Sequence, residues 1–170
     1  MRLMSFKHLG QAGFGIVTDS GIVDATKRLA GRPRSLRDAL IAGALADLRR
    51  LEGTAPDLAL TDVDYAPVIP DAAAKVLCVG INYLPHIKEM GRERPAHPVL
   101  FVRFADSIVG HGQPLVAPSA STQFDYEGEL AVIIGKRARH VSRERAADYV
   151  AGYSCFNDGS IRDFQRHSQQ

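Results

Sequence analysis

Tryptophan is absent from this 170-residue chain, and cysteine occurs only twice. Two thiols, Cys78 and Cys155, are too few for a disulfide framework. Both fall in apolar, strand-like runs, so they are expected to be buried and reduced, as in a cytoplasmic protein. Long apolar runs are missing as well. None approaches the roughly 18 residues of a membrane span, and the opening Met1–His8 has no apolar centre of the kind a signal peptide carries. Nor is there an excess of one charge: 21 Lys and Arg face 19 Asp and Glu, for a net charge of +2. The densest basic stretch, Lys136 to Arg145, is broken by apolar residues and by Glu144. A nucleic-acid binder clusters its cations on one face, and nothing here points that way. Membrane spans and disulfide scaffolds are excluded, which leaves a soluble globular protein with 45% hydrophobic and 24% charged residues.

Two units are legible. In residues 1–70, Phe14-Gly15-Ile16-Val17 and Ile22-Val23 read as short strands around an Asp19-Ser20-Gly21 turn. Ser35 is a candidate N-cap for a helix on which Leu36, Leu40 and Ile41 share a face, with Gly43 ending or bending it. Pro67-Val68-Ile69-Pro70-Asp71 is the linker candidate, because two prolines restrict the backbone. From residue 71 onward the chain is strand-rich. Val76–Gly80, Val99–Phe104, Tyr126–Gly135 and Val150–Phe156 are strand candidates. A short helix is expected over Pro85–Met90, and another over Ser142–Val150 with Ser142 as N-cap. The fold class is α+β and β-rich, behind a small N-terminal α/β module.

Three patterns carry chemistry. In Asp125-Tyr126-Glu127-Gly128-Glu129-Leu130, residues two apart share one face of a strand. Glu127 and Glu129 therefore project together, and a divalent cation would relieve their repulsion. Hard oxygen donors favour Mg²⁺, Mn²⁺ or Ca²⁺ over zinc. An exposed edge with both carboxylates hydrated is the other reading of the same pattern. Asp158 follows the apolar run Val150–Phe156, placed to be a third ligand or to cap a turn. Arg162 and Gln165 share a face if a helix follows it, and Arg suits a carboxylate partner, though solvated helix residues fit the spacing too. His86 and Glu89 stand three apart, so the carboxylate can orient the imidazole as a general base, or the pair is ordinary helix surface.

Taken in order, these segments resemble the fumarylacetoacetate hydrolase family. Gly80-Ile81-Asn82-Tyr83-Leu84-Pro85-His86-Ile87-Lys88-Glu89-Met90 resembles its G-x-N-Y-x-x-H-x-x-E-M segment. Pro98-Val99-Leu100-Phe101 is similar to its P-V-x-F strand, and Asp125–Leu130 to its D-Y-E-x-E-L motif. Gly152-Tyr153, Asn157-Asp158 and Arg162-Asp163-Phe164-Gln165 follow in the family's order. The resemblance covers residues 75 to 170 and implies a mixed β-sandwich roll for the unit 71–170.

It further implies that Glu127, Glu129 and Asp158 bind Mg²⁺ or Mn²⁺. His86 and Glu89 would activate water, and Arg162 and Gln165 would hold the acid end of the substrate. The implied activity is metal-dependent C–C hydrolysis of an acylpyruvate or related 1,3-dicarbonyl or 2-oxo acid, through a metal-stabilised enolate. Oxaloacetate-type decarboxylation and dienoate isomerisation or hydration are alternatives on the same site. A non-catalytic, truncated metal- or partner-binding member is a further one. The implied partners are the small-molecule acid and a second copy of the chain in a homodimer. Two departures stand out. Arg103-Phe104-Ala105 occupies a segment where the family motif often has Lys and Pro. Family members also continue beyond this segment with a catalytic lysine and further strands, so residues 71–170 are expected to form an incomplete catalytic domain with exposed apolar edges.

Overall fold

The computed structural model describes residues 1–30 and 32–167. Strands β1 (Arg2–His8), β2 (Gln11–Val17), β3 (Ile22–Asp24) and β4 (Asp64–Tyr65) form one antiparallel sheet in the order β3-β2-β1-β4. Three short helices lie between β3 and β4: α1 (Ala25–Arg28), α2 (Leu36–Ile41) and α3 (Leu45–Arg50). The β1–β2 hairpin turns on Leu9 and Gly10, both at positive φ, the backbone of a two-residue hairpin loop whose twist matches its strands.

Each face of this sheet buries a different cluster, because side chains alternate along a strand. Phe14 packs with Ala25, Leu36, Ala39 and Leu48 under the helices. Met4, Phe6 and Ile22 pack on the other face with Leu58, Val63 and Tyr65. Gly13 lies opposite Phe6, and a Cβ there would stand 2.8 Å from its ring. Ser35 caps α2 by accepting the Asp38 N–H at 3.1 Å, and Gly43, at φ +69°, ends that helical stretch, both as the sequence indicates. The segment 67–71 is a strap and not a free linker. Val68 and Ile69 join the core under the helices, Ser5 donates its hydroxyl to the Val68 carbonyl, and Arg37 pairs with Asp71.

The second half pairs β5 (Val76–Gly80) with β6 (Val99–Arg103) and β8 (Gly128–Ile134) with β9 (Val150–Asn157), both antiparallel. The short β7 (Phe124–Asp125) pairs with β10 (Ser160–Ile161), and helix α4 (Leu84–Glu89) joins β5 to β6. Segment 143–149 winds as a 3₁₀-helix where an α-helix was expected. Residues 142–148 are all exposed, so no apolar face is buried to hold a longer helix. Among the described residues, Ile87 is the one buried hydrophobic residue of this half. One face of each hairpin is open: Leu77, Leu100 and Val102 on one, Leu130, Ile134 and Tyr153 on the other. The cysteines depart from expectation accordingly. Cys155 lies opposite Leu130 on an open face and is exposed, while Cys78 is half-buried.

Candidate active site

The strand pair β8–β9 sets the backbone of Glu127 beside that of Asp158, with Glu129 two residues along β8. Glu127, just before β8, and Glu129 within it are half-buried on the side shared with Ala131 and Ile133, whereas Gly128, Leu130 and Val132 face outward. Asp158 follows β9 directly and is only 5% exposed. The backbone ties the two ends: the Asp158 N–H donates to the Glu127 carbonyl at 2.9 Å, and the Asn157 side chain accepts the Glu127 N–H at 3.1 Å.

Two arginines hold Glu127 and Asp158, and neither pairs with Glu129 among the described residues. Arg162 donates through Nε to Asp125 at 2.9 Å and through Nη1 to Glu127 at 3.0 Å and Gln165 at 3.3 Å. Its Nη2 lies 2.8 Å from Asp125, so every nitrogen of the fork is committed. These hydrogen bonds hold the Asp125 carboxyl below its ordinary range. Arg103, the last residue of β6, sets Nη2 against Oδ1 of Asp158 and donates to the Gly159 carbonyl at 3.0 Å. Burial pushes the Asp158 carboxyl up; Arg103 opposes that, and Glu127 adds to it by repulsion. The same field reaches Cys78 on β5, whose thiol is raised by burial and then by Asp158, with Glu129 adding to both and Arg103 opposing.

His86 and Glu89 meet as their spacing predicts, with Nδ1 to Oε2 at 3.2 Å on the exposed side of α4. Tyr83, at the N-cap of that helix, accepts the Leu130 N–H on its hydroxyl at 3.0 Å. The helix carrying the pair is thereby fastened to the strand carrying Glu129. An open depression lined by Gln113, Leu115, Phe124, Asp125, Tyr126 and Asn157 borders the cluster.

The donor set fits a hard divalent cation on two grounds. Glu127, Glu129 and Asp158 offer only carboxylate oxygens. Oδ1 of Asp158 is buried with no hydrogen bond of proper geometry among the described residues, only the close guanidinium. The side chains do not converge as they stand. Among the described residues, no group of three or more His, Cys, Asp or Glu is arranged to hold a metal ion. Glu127 and Asp158 are each paired with an arginine instead. Sequence reasoning singled out the acidic and His–Glu positions but not the reach of Arg103 or the Tyr83 latch. Arg103 was visible only as a departure from the family motif, and Tyr83 only as part of the matching segment.

Fold and site together define a class: β-rich α+β proteins with a His–Glu helix latched to a hairpin that carries an acidic cluster. Within that class, residues 75–170 match the model of the fumarylacetoacetate (FAA) hydrolase C-terminal domain, and the chain belongs to this family. It is 37% identical over 174 residues to the mitochondrial oxaloacetate tautomerase FAHD2A of Homo sapiens, across 97% of this chain and 54% of that protein. It superposes on fumarylacetoacetate hydrolase from Exiguobacterium antarcticum with a TM-score of 0.70 and 33% identity, covering 98% of this chain and 58% of the other. Maleylpyruvate hydrolase from Sphingobium sp. SYK-6, in complex with manganese(II) and pyruvate, matches at a TM-score of 0.73 and 26% identity, over 95% and 60% of the two chains. Related proteins of the family are thus enzymes. The chain spans about half the length of the curated relatives it matches over most of its own length.

Proposed function

We propose that this chain carries the cation and base residues of a metal-dependent enzyme acting on 2-oxo or 1,3-dicarbonyl acids, with hydrolysis of an acylpyruvate C–C bond as its reaction. The observation that carries this reading is the His86–Glu89 pair on a helix fastened, through Tyr83, to the strand of Glu129. Glu127, Glu129 and Asp158 are the residues that would hold Mg²⁺ or Mn²⁺. When bound, the cation supplies Lewis acidity to neighbouring carbonyl and carboxylate oxygens.

The remaining work falls to the chain's own groups. With Nδ1–H donated to Glu89, Nε2 of His86 is the free acceptor, and it takes a proton from water. The water oxygen bonds to the acyl carbonyl carbon. The C–C bond to the pyruvyl methylene then breaks, and its electron pair leaves as the pyruvate enolate. The proton held on Nε2 is available to the departing carbon, which balances the step. Gln165, held by Arg162, completes the polar rim toward the acid end of the substrate.

Keto–enol tautomerisation of oxaloacetate is a second reading, favoured by the tautomerase named above, which matches nearly the whole chain. There His86 would move the same proton between carbon and oxygen with no bond to water. We also place the working form as a homodimer in the cytoplasm.

The test uses the full protein with Mn²⁺, acetylpyruvate and enol-oxaloacetate. The His86→Ala variant should lose about 10²–10⁴-fold of the hydrolytic kcat, the usual contribution of a general base. Glu89→Gln should lose less, because it orients the imidazole without touching substrate. Hydrolysis undiminished in His86→Ala would overturn the role of the base. Oxaloacetate turnover without acetylpyruvate cleavage in the unmodified protein would select the second reading.

A further inference from the structure

Arg103 stands between a buried carboxylate and solvent. Its side chain is 30% exposed, whereas that of Asp158 is only 6% exposed. A single nitrogen, Nη2, serves both the Gly159 carbonyl and Oδ1 of Asp158. Among the described residues, Nε and Nη1 have no partner. Arg162 differs: all its nitrogens are taken by Asp125, Glu127 and Gln165. Of the two guanidinium groups at the acidic cluster, Arg103 is the one with donors to spare.

A carboxylate as buried as that of Asp158 is costly without a counter-charge. Nη2 of Arg103 lies against Oδ1 of Asp158, an oxygen that a divalent cation would draw on, and two positive charges at one carboxylate repel each other, so their claims on Asp158 compete. We infer that Arg103 is the counter-ion of Asp158 when no cation is bound, and that cation binding releases its fork to receive the carboxylate of a 2-oxo acid. Once Asp158 turns away, Nη2 and a neighbouring N–H form the paired edge that matches a carboxylate. Cation loading would then create the acid site, and the two ligands would bind in that order. The inference rests on the cation assignment given under Proposed function.

Calorimetric titration of the full protein with MnCl₂, then of the Mn²⁺-saturated protein with pyruvate, tests both halves. Arg103→Gln is expected to bind Mn²⁺ about tenfold more tightly than the unmodified protein and pyruvate about tenfold more weakly. Arg103→Lys keeps the charge but not the fork, so it should fall between the two in each titration. It also serves if the glutamine variant does not fold. Unchanged or weaker Mn²⁺ binding in the variants overturns the competition, and unchanged pyruvate binding overturns the acid contact. An unmodified protein that takes up no Mn²⁺ overturns the cation assignment itself, and this inference with it.

Discussion

Asp57 shows how far a single half-buried carboxylate can lock a loop. It accepts Nε and Nη2 of Arg28 and also the Asp24 N–H, so it ties the segment after α3 to the start of α1. The hydrogen bond from Arg28 holds its carboxyl below the ordinary value of 3.8. Because the folded value is the lower one, the stabilisation is complete above pH 3.8 and fades as the pH falls through the depressed value. Thermal unfolding of Asp57→Asn should therefore show its largest deficit near neutral pH. That deficit should shrink below pH 3.8, and a deficit that does not change with pH would show that the ion pair is not its source. Residues of this kind escape a sequence reading. Arg28 and Asp57 are far apart in the chain, and nothing local announces the pair. The i, i+3 pair His86–Glu89 and the even spacing of Glu127 and Glu129 are local, and those were legible.

At the scale of elements, β2, β3 and α2 follow from periodicity and a cap, although Ile41, expected to share the apolar face of α2, is 69% exposed. Ser35 and Gly43 bracket a helix whose Leu36 and Ala39 are buried, and Leu48 of α3 fills the same core at 0% exposure. Leu48→Ala should lower the unfolding free energy by about 2–5 kcal/mol, read from chemical denaturation. A loss below 1 kcal/mol would mean that the cluster collapses around the gap. Ser35→Ala removes only the cap and should cost about 1 kcal/mol. Strand β1 was harder to see. Met4 and Phe6 alternate correctly, but the turn that pairs β1 with β2 needs Leu9 at φ +50°, a conformation no sequence signal assigns to leucine. Segment 143–149 is helical with Ser142 at its N-cap, as expected, but winds as a 3₁₀-helix. Its composition suits a helix, yet the structure gives it no face to bury, and packing outweighs propensity.

On the scale of the whole molecule, the site is the product of segments that meet only in the fold. Helix α4, the end of β6, the start of β8 and the end of β9 each contribute one part. The antiparallel register that sets Gly128 opposite Asn157 makes Glu127 and Asp158 neighbours. The motif order along the chain indicated which residues belong together. It did not indicate that Arg103, 55 positions before Asp158, would reach it, because cross-strand contacts depend on how the hairpins stack. The open apolar faces of the two hairpins belong to the same scale. Leu77, Val102, Leu130 and Tyr153 form surfaces of the kind that a further chain segment or a second subunit covers.

If these distant segments form one cation site, Glu129 is the residue whose replacement reports on it most cleanly. Glu127 and Asp158 are bound to arginines, so replacing either disturbs an ion pair. Among the described residues, Glu129 takes part in none. Calorimetric titration of the full protein and of Glu129→Gln with MnCl₂ is the decisive measurement. The unmodified protein should take up one Mn²⁺ per chain, and the variant should bind it at least about tenfold more weakly, with both equally folded. Equal affinity in the two proteins would contradict a single shared site.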